Sequence, residues 1–150
     1  METPQLTSLY QQLILEHYKS PRNKGDLEDR TVEVHMNNPV CGDEIRLQLQ
    51  IEGDTIQHAK FVGQGCSISQ AAVSIMTTLL EGRSLEDAET LADRFTQVMR
   101  GDAEAARDKS LGDLRALQGV SKFPVRVKCA LLGFDALREA LRQSAAEPAN

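Results

Sequence analysis

The apolar residues of this chain change from strand spacing to helical spacing near residue 66, and that change limits the fold more than any other feature. From Ile45 to Ile51 every second residue is apolar, which is typical of a strand that buries one face. Beyond residue 66 apolar residues recur every three or four positions, which indicates helices that bury one side. Strands followed by helices predict an α+β fold, here a three-stranded antiparallel sheet packed by helices on one face.

Two further stretches, residues 31–36 and 55–62, are predicted to be strands on either side of the first one. The sequence Glu52-Gly53-Asp54 is a hairpin turn signal, so the three strands should follow one another as an antiparallel meander. A helix over residues 7–18 is predicted to precede them, because its apolar positions fall on one side.

Two helices are predicted after the strands. The first begins at the glycine-rich loop around residue 66 and stops at Gly82, and the second runs from a cap at Ser84 to Gly101. We expect Ser67 or Ser69 to cap the first of these helices, since serine side chains accept hydrogen bonds from the free N–H groups there.

The last third of the chain is less periodic. We expect a short helical piece at residues 111–117 and a loop at Gly119. A final helix should run from residue 124 or 125 to about 142, and a frayed tail should follow from about residue 144. The chain has 150 residues, about one domain's worth, so residues 1–150 are expected to form a single domain.

Charge and hydropathy exclude several functions. The formal net charge of -5 argues against a nucleic-acid-binding protein, which normally needs a basic face. Four cations near the third cysteine could still form a local basic patch: Arg115, Lys122, Arg126 and Lys128. No signal peptide is visible, and no apolar stretch approaches the ~20 residues of a membrane span. We therefore expect a cytoplasmic protein without a membrane or nucleic-acid partner.

Three cysteines occupy positions where thiols do chemistry. Cys41 lies in a tight turn between two strands, Cys66 in a glycine-rich loop that opens a helix, and Cys129 near the start of the last helix. In the cytoplasm, an odd number of cysteines favours metal or thiol chemistry over structural disulfides. With Asp43, these residues offer three thiolates and a carboxylate, a complete tetrahedral ligand set for a divalent metal.

The positions suggest different tasks for the thiols. At a helix N-terminus, Cys66 would face unpaired N–H groups and the positive end of the helix dipole. Cys41 sits on a turn, which can move, so it is the natural candidate for the reactive thiol. No C-x-x-C motif occurs, so the fold must bring the ligands together.

Simpler interpretations exist for each of these residues. The cysteines would also serve as small buried hydrophobes, and Asp43 as an ordinary turn residue. We expect His17, His35 and His58 to be packed or surface residues and not metal ligands.

Three ordered motifs resemble those of the IscU/SufU/NifU-N family. They are Asn38-Pro39-Val40-Cys41-Gly42-Asp43, Gly63-Gln64-Gly65-Cys66-Ser67-Ile68-Ser69-Gln70-Ala71 and Arg126-Val127-Lys128-Cys129-Ala130. The first helix and the following Pro21-Arg22-Asn23 are similar as well, so the resemblance covers nearly the whole chain.

The family has two functional types, and the resemblance favours one of them. In the cluster scaffold type, a histidine directly precedes the third cysteine, where this chain has Lys128. The sulfur-transfer (SufU) type lacks that histidine and carries an insertion of about twenty residues before the third motif, which residues 101–122 resemble. The resemblance thus implies a zinc-dependent sulfurtransferase-type persulfide carrier in iron–sulfur cluster assembly.

The resemblance also implies roles and partners. It implies zinc held by Cys41, Asp43, Cys66 and Cys129. Cys41 would accept sulfur from the pyridoxal-phosphate cysteine desulfurase SufS after a desulfurase histidine replaces it on the metal. Arg126 would contact the released Cys41 or help to close the site, although it could equally be a solvated helix residue. A SufBCD-type scaffold would receive the sulfur.

Two other functions are also compatible with the sequence. The same cysteines could hold a nascent iron–sulfur cluster, as in the scaffold type. A purely structural zinc protein that acts as a binding module would keep Cys41 on the metal permanently.

Overall fold

The structure, a computed structural model, describes residues 4–40 and 42–146, with the side chains of residues 8–40 and 42–145. Its centre is an antiparallel sheet of Val32–Asn38 (β1), Asp43–Glu52 (β2) and Thr55–Gln64 (β3), in the order β1–β2–β3. The predicted meander is confirmed. Each strand runs further than its alternation indicated toward one end of the sheet, where β1 ends, β2 begins and β3 ends.

Helices cover one face of this sheet, as predicted. The helical elements are Pro4–Lys19 (α1), Ser67–Leu80 (α2), Leu85–Met99 (α3), Ala103–Ala106 (α4), a 3₁₀ segment Lys109–Lys122 and Pro124–Ala146 (α5). Helix α2 lies over β3, and α5 lies over β1 and β2. Helices α1 and α3 and the 3₁₀ segment pack around α2 and α5. None of the helices in residues 4–40 and 42–146 is long and apolar enough to cross a bilayer.

The alternation of β2 supplies the sheet side of the core. Ile45, Leu47 and Leu49 are fully buried under the helices. On the helical side, Phe95 of α3 stacks on Phe134 of α5 with ring centroids 4.7 Å apart. Aromatic residues are only 4% of the chain, so this pair contributes an unusual share of the large apolar surface that the core buries.

The opposite face of the sheet is covered in part by the segment that follows α1. Gly25 N donates to Phe61 O at 2.8 Å, which adds the segment to the edge of β3. Leu27 N then donates to Oε1 of Gln48, a fully buried residue that alternates with the core leucines of β2. Gln48 Nε2 donates to Asp26 and Glu33, so this buried amide has its polar atoms satisfied.

A buried histidine joins three helical elements. His17 of α1 is 4% exposed, and its Nδ1 lies 2.8 Å from Ser74 Oγ of α2. The same hydroxyl accepts from Arg22 N at 2.8 Å, and His17 Nε2 lies 3.9 Å from Asp113 of the 3₁₀ segment. Burial, with the positive charge of Arg22, lowers the pKa of His17. His17 is therefore a packed residue, as expected.

The stretch between α3 and α5 differs from the sequence prediction. A loop at Gly119 is wrong, because the 3₁₀ segment contains this residue and runs from Lys109 to Lys122. Leu111, Leu114 and Leu117 are all fully buried. The backbone is not helical at Gly112 (φ 52°, ψ -130°), so Leu111 lies before a kink, and Leu114 and Leu117 lie one 3₁₀ turn apart after it. The predicted helical piece at residues 111–117 is thus present but interrupted.

The last helix also ends later than predicted, since α5 continues to Ala146 and the prediction ended it near residue 142. The remainder of the predicted tail, residues 147–150, lies outside the described residues.

Two phenylalanines provide a matched test of the core. Phe134 is 1% exposed, and Phe123 is 60% exposed. We expect Phe134→Ala to lower the free energy of unfolding by about 3–5 kcal/mol, because it removes a stacked ring and leaves a cavity. Phe123→Ala should cost less than about 0.5 kcal/mol. Chemical denaturation of both variants measures this, and equal losses would contradict the packing described.

Candidate metal centre

The end of the sheet toward which all three strands extend brings two loops together. The first loop joins β1 to β2, whose terminal residues Asn38 and Asp43 are paired. Gly42 N donates to Asn38 O at 2.8 Å, and Val40 N donates to Asn38 Oδ1 at 3.1 Å. Gly42 has φ +72°, a left-handed conformation that favours glycine. Cys41, the predicted sulfur acceptor and metal ligand, lies outside the described residues.

Asp43 begins β2 and is buried, with 1% of its surface exposed. Its Oδ1 accepts from Cys66 N at 2.8 Å, and its Oδ2 lies 3.8 Å from Cys66 Sγ. Among the described residues no lysine, arginine or histidine forms an ion pair with it. A buried carboxylate needs a charged partner or a metal, so its surroundings favour a cation beside it.

Gly65 makes room for this carboxylate. Its φ is +147°, and an ideal Cβ at this position would overlap Asp43 Oδ1 and lie 2.9 Å from Asp43 Cα. Gly65 therefore leaves a cradle for the Asp43 carboxylate that a side chain would fill. Gly63, two residues earlier, has a different role: it lets β3 approach the backbone of β2, where a Cβ would overlap the Glu44 carbonyl oxygen.

Cys66 is itself the N-cap of α2. Its backbone is extended, and its Sγ accepts from Ser69 N at 3.5 Å. The prediction that Ser67 or Ser69 caps this helix is therefore wrong, because the thiol already occupies the place of a capping oxygen. Ser69 is fully buried and its Oγ lies 3.1 Å from Cys66 O, while Gln70 Nε2 donates to Ser69 Oγ at 3.2 Å. These contacts hold the thiol at the helix start.

Cys129, in α5, lies close to Asp43 and Cys66. It is 1% exposed, and its Sγ lies 3.8 Å from Val125 O one turn earlier. The ligand atoms of Asp43, Cys66 and Cys129 all lie within 4.8 Å of one another. The structure thus brings together three of the four predicted metal ligands from three separate elements.

The donor set fits zinc. Thiolate sulfur and carboxylate oxygen are zinc ligands, and tetrahedral sites place such atoms ~3–4 Å apart around the ion. The two thiols and the carboxylate lie within 4.8 Å of one another, which is compatible with a single ion, and a cation at this point would pair with the buried carboxylate of Asp43. Cys41 is the predicted fourth ligand.

Four other residues considered in the sequence analysis are exposed. Arg126, a predicted site residue, lies in the first turn of α5. Lys128 is exposed, and a protonated ammonium group has no lone pair for a metal. His35 and His58 are exposed and pair with Glu44 and Glu81, so they are surface residues, as expected.

Two parts of the site were missed by sequence reasoning. The carboxylate cradle has a signal in the sequence, because Gly65 follows the end of a strand directly before Cys66, a position where glycine indicates close approach of another group. The hydrogen bond from Cys66 N to Asp43 has no signal in the sequence, because it joins residues that are 23 positions apart.

Comparison with known proteins identifies the family that the three sequence motifs resemble. The model of the NifU-like N terminal domain matches residues 9–143. The zinc-dependent sulfurtransferase SufU of Bacillus subtilis is 51% identical over 134 residues, which cover 89% of this chain and 90% of that protein. The iron-sulfur cluster assembly scaffold protein IscU of Streptococcus pyogenes is 41% identical over 145 residues, 97% and 90% of the two chains.

A solved structure is similar as well. A putative iron-sulfur cluster assembly scaffold protein for the SUF system from Fervidobacterium islandicum superimposes with a TM-score of 0.80 at 32% identity, covering 86% of this chain and 93% of that one. The chain therefore belongs to the NifU-like N-terminal domain family.

Two glycine substitutions test the cradle. We expect Gly65→Ala to weaken zinc binding at least about tenfold and to destabilise the fold by about 1–3 kcal/mol, because the new methyl group displaces Asp43. At Gly119 a Cβ would meet nothing within 4 Å, so Gly119→Ala is the matched control. Competition with a chromogenic zinc chelator measures the affinity. Wild-type affinity in Gly65→Ala would show that Asp43 is not held as described.

Proposed function

We propose that this protein transfers sulfur in iron–sulfur cluster assembly, accepting a persulfide sulfur from a cysteine desulfurase onto Cys41 at a zinc site and passing it on. The observation that carries the proposal is the convergence of Asp43, Cys66 and Cys129 beside the loop that contains position 41. The identity of 51% with a zinc-dependent sulfurtransferase supports it.

Zinc would be held by Cys41, Asp43, Cys66 and Cys129, where it keeps thiolates deprotonated at neutral pH without redox activity of its own. The chain's own residues supply the rest of the site. Asp43 and Cys66 are fixed by their mutual hydrogen bond, and Cys129 by its place in α5. Three ligands on rigid elements would retain the metal while Cys41 acts.

The proposed chemistry is thiolate exchange. The thiolate of Cys41 attacks the outer sulfur of the donor persulfide, and a new S–S bond forms at Cys41 while the donor S–S bond breaks. The donor cysteine leaves as a thiolate, and the hydrogen of the persulfide stays on the transferred sulfur. No external oxidant or reductant is needed. The exposed guanidinium of Arg126 is proposed to stabilise the anionic sulfur.

The chemistry implies the partners. The donor is proposed to be a pyridoxal-phosphate cysteine desulfurase of the SufS type, and the receiver a SufBCD-type scaffold. We place the exchange in the cytoplasm, where thiols stay reduced.

A cluster scaffold is the second candidate, and the name of the Streptococcus relative favours it. Against it, Lys128 occupies the position of the scaffold histidine, and its ammonium group cannot ligate iron. Anaerobic reconstitution with iron and sulfide separates the two functions. A scaffold turns brown and keeps its cluster through gel filtration, whereas the sulfur-transfer protein should emerge colourless with its zinc.

A cysteine substitution tests the acceptor. We expect Cys41→Ala to remain folded but to receive no sulfur, because the attacking thiolate is gone. The protein is incubated with desulfurase and cysteine, alkylated, and analysed by peptide mass spectrometry, with Ser67→Ala as the control that keeps all three thiols. Persulfide formation on Cys41→Ala together with normal stimulation of desulfurase turnover would contradict the assignment.

A further inference from the structure

Two thiols of the metal centre lie close enough to react with each other. Cys66 is the N-cap of α2 and Cys129 lies in α5, and their Sγ atoms are within 4.8 Å of one another. The sulfur atoms of a disulfide are about 2.05 Å apart, so bond formation requires a movement of at most ~3 Å. Because the packing of α2 against α5 brings the two thiols together, their proximity does not depend on Cys41.

The side chain of Cys66 is able to make this movement. Its Sγ accepts from Ser69 N at 3.5 Å and lies 3.8 Å from Asp43 Oδ2. Rotation about one side-chain bond moves the sulfur to another staggered position and breaks these two contacts. The backbone stays in place during the rotation, since Cys66 N keeps its hydrogen bond to Asp43 Oδ1 at 2.8 Å.

The two thiols differ in their access to solvent. Cys66 is partly exposed, whereas Cys129 is buried, with 1% of its surface exposed. A small oxidant such as hydrogen peroxide therefore reaches Cys66 first, and Cys129 is placed to react with the oxidised sulfur. An accessible thiol beside a second thiol is the arrangement in which oxidation ends at a disulfide and does not proceed to the irreversible acids.

We propose that Cys66 and Cys129 form a peroxide-sensitive modification site, whose disulfide releases zinc and reversibly inactivates the metal centre. This inference goes beyond sulfur transfer, because it concerns two ligands that the proposed exchange at Cys41 leaves unchanged. Thiolates, and not disulfide sulfurs, are the form of cysteine that binds metals. Oxidation of this pair therefore removes half of the proposed ligand set in one event.

The chemistry consists of two displacements. The Cys66 sulfur attacks one oxygen of hydrogen peroxide, so that an S–O bond forms, the O–O bond breaks and hydroxide leaves. The Cys129 sulfur then attacks the Cys66 sulfur, so that an S–S bond forms, the S–O bond breaks and a second hydroxide leaves. Each hydroxide takes up a proton and becomes water, and two electrons pass from the two sulfurs to the peroxide. Reduction by a dithiol restores both thiols.

Treatment of the zinc-loaded wild type with equimolar hydrogen peroxide tests the site. A chromogenic chelator reports the release of zinc. Alkylation followed by peptide mass spectrometry without reduction identifies the disulfide. We expect a cross-linked peptide pair containing Cys66 and Cys129, formed at the rate at which zinc is released, while Cys41 remains open to alkylation. Dithiothreitol should then restore zinc binding.

Two variants provide a matched comparison in excess peroxide. Cys41→Ser keeps the proposed pair and should form the same disulfide. Cys41→Ser/Cys129→Ser removes the second thiol as well, so its Cys66 should accumulate as sulfinic and sulfonic acid at least about tenfold more than in Cys41→Ser. Circular dichroism before oxidation verifies that both variants are folded, and the result for the wild type does not depend on them.

A disulfide that contains Cys41, a disulfide between two copies of the chain, or release of zinc while Cys129 stays reduced would overturn the site. A wild-type protein that forms the Cys66–Cys129 disulfide but never acquires persulfide from a desulfurase would contradict the proposed function and leave this site intact. Persulfide on Cys41 in a protein that never forms the disulfide would have the opposite meaning.

Discussion

One hydrogen bond, from the backbone N–H of Cys66 to the carboxylate of Asp43, joins the two loops on which the site depends. Hydrogen bonds to charged groups contribute about 1.5–3 kcal/mol, enough to hold a loop and a strand end in one register. The bond requires that residue 65 have no side chain, since a Cβ there would occupy the place of the carboxylate. The buried carboxylate of Asp43 is costly to desolvate, and a bound cation would offset that cost.

The rest of the fold brings the third ligand to this point. The alternating residues of β2 bury its helix-facing side, and α5 packs over β1 and β2, so the beginning of α5 comes close to the end of the sheet where β2 begins. At Gly133 a Cβ would lie 3.1 Å from the side chain of Val73, which shows how closely α5 approaches α2. Core packing thus determines where Cys129 lies, and the loops determine where Asp43 and Cys66 lie.

Much of this arrangement could be predicted from the sequence, and the failures have physical causes. The strict alternation from Ile45 to Ile51 was sufficient to predict the central strand. The three cysteines and Asp43 were sufficient to propose the ligand set. The helical piece at residues 111–117 was predicted, but its extension through Gly119 to Lys122 was not, because the segment is a 3₁₀ element with a kink at Gly112. The cap of α2 was missed because cysteine is not an ordinary capping residue. Only the tertiary fold could show that ligands as far apart as Asp43 and Cys129 meet, since no local spacing encodes contacts of that length.

The zinc K-edge X-ray absorption spectrum of the purified protein tests the central claim most directly. Ligation by three cysteines and one aspartate predicts three sulfur atoms at about 2.3 Å and one oxygen at about 2.0–2.2 Å from the metal. A zinc shell made only of oxygen or nitrogen atoms, or a protein that retains iron and sulfide in place of zinc, would contradict it.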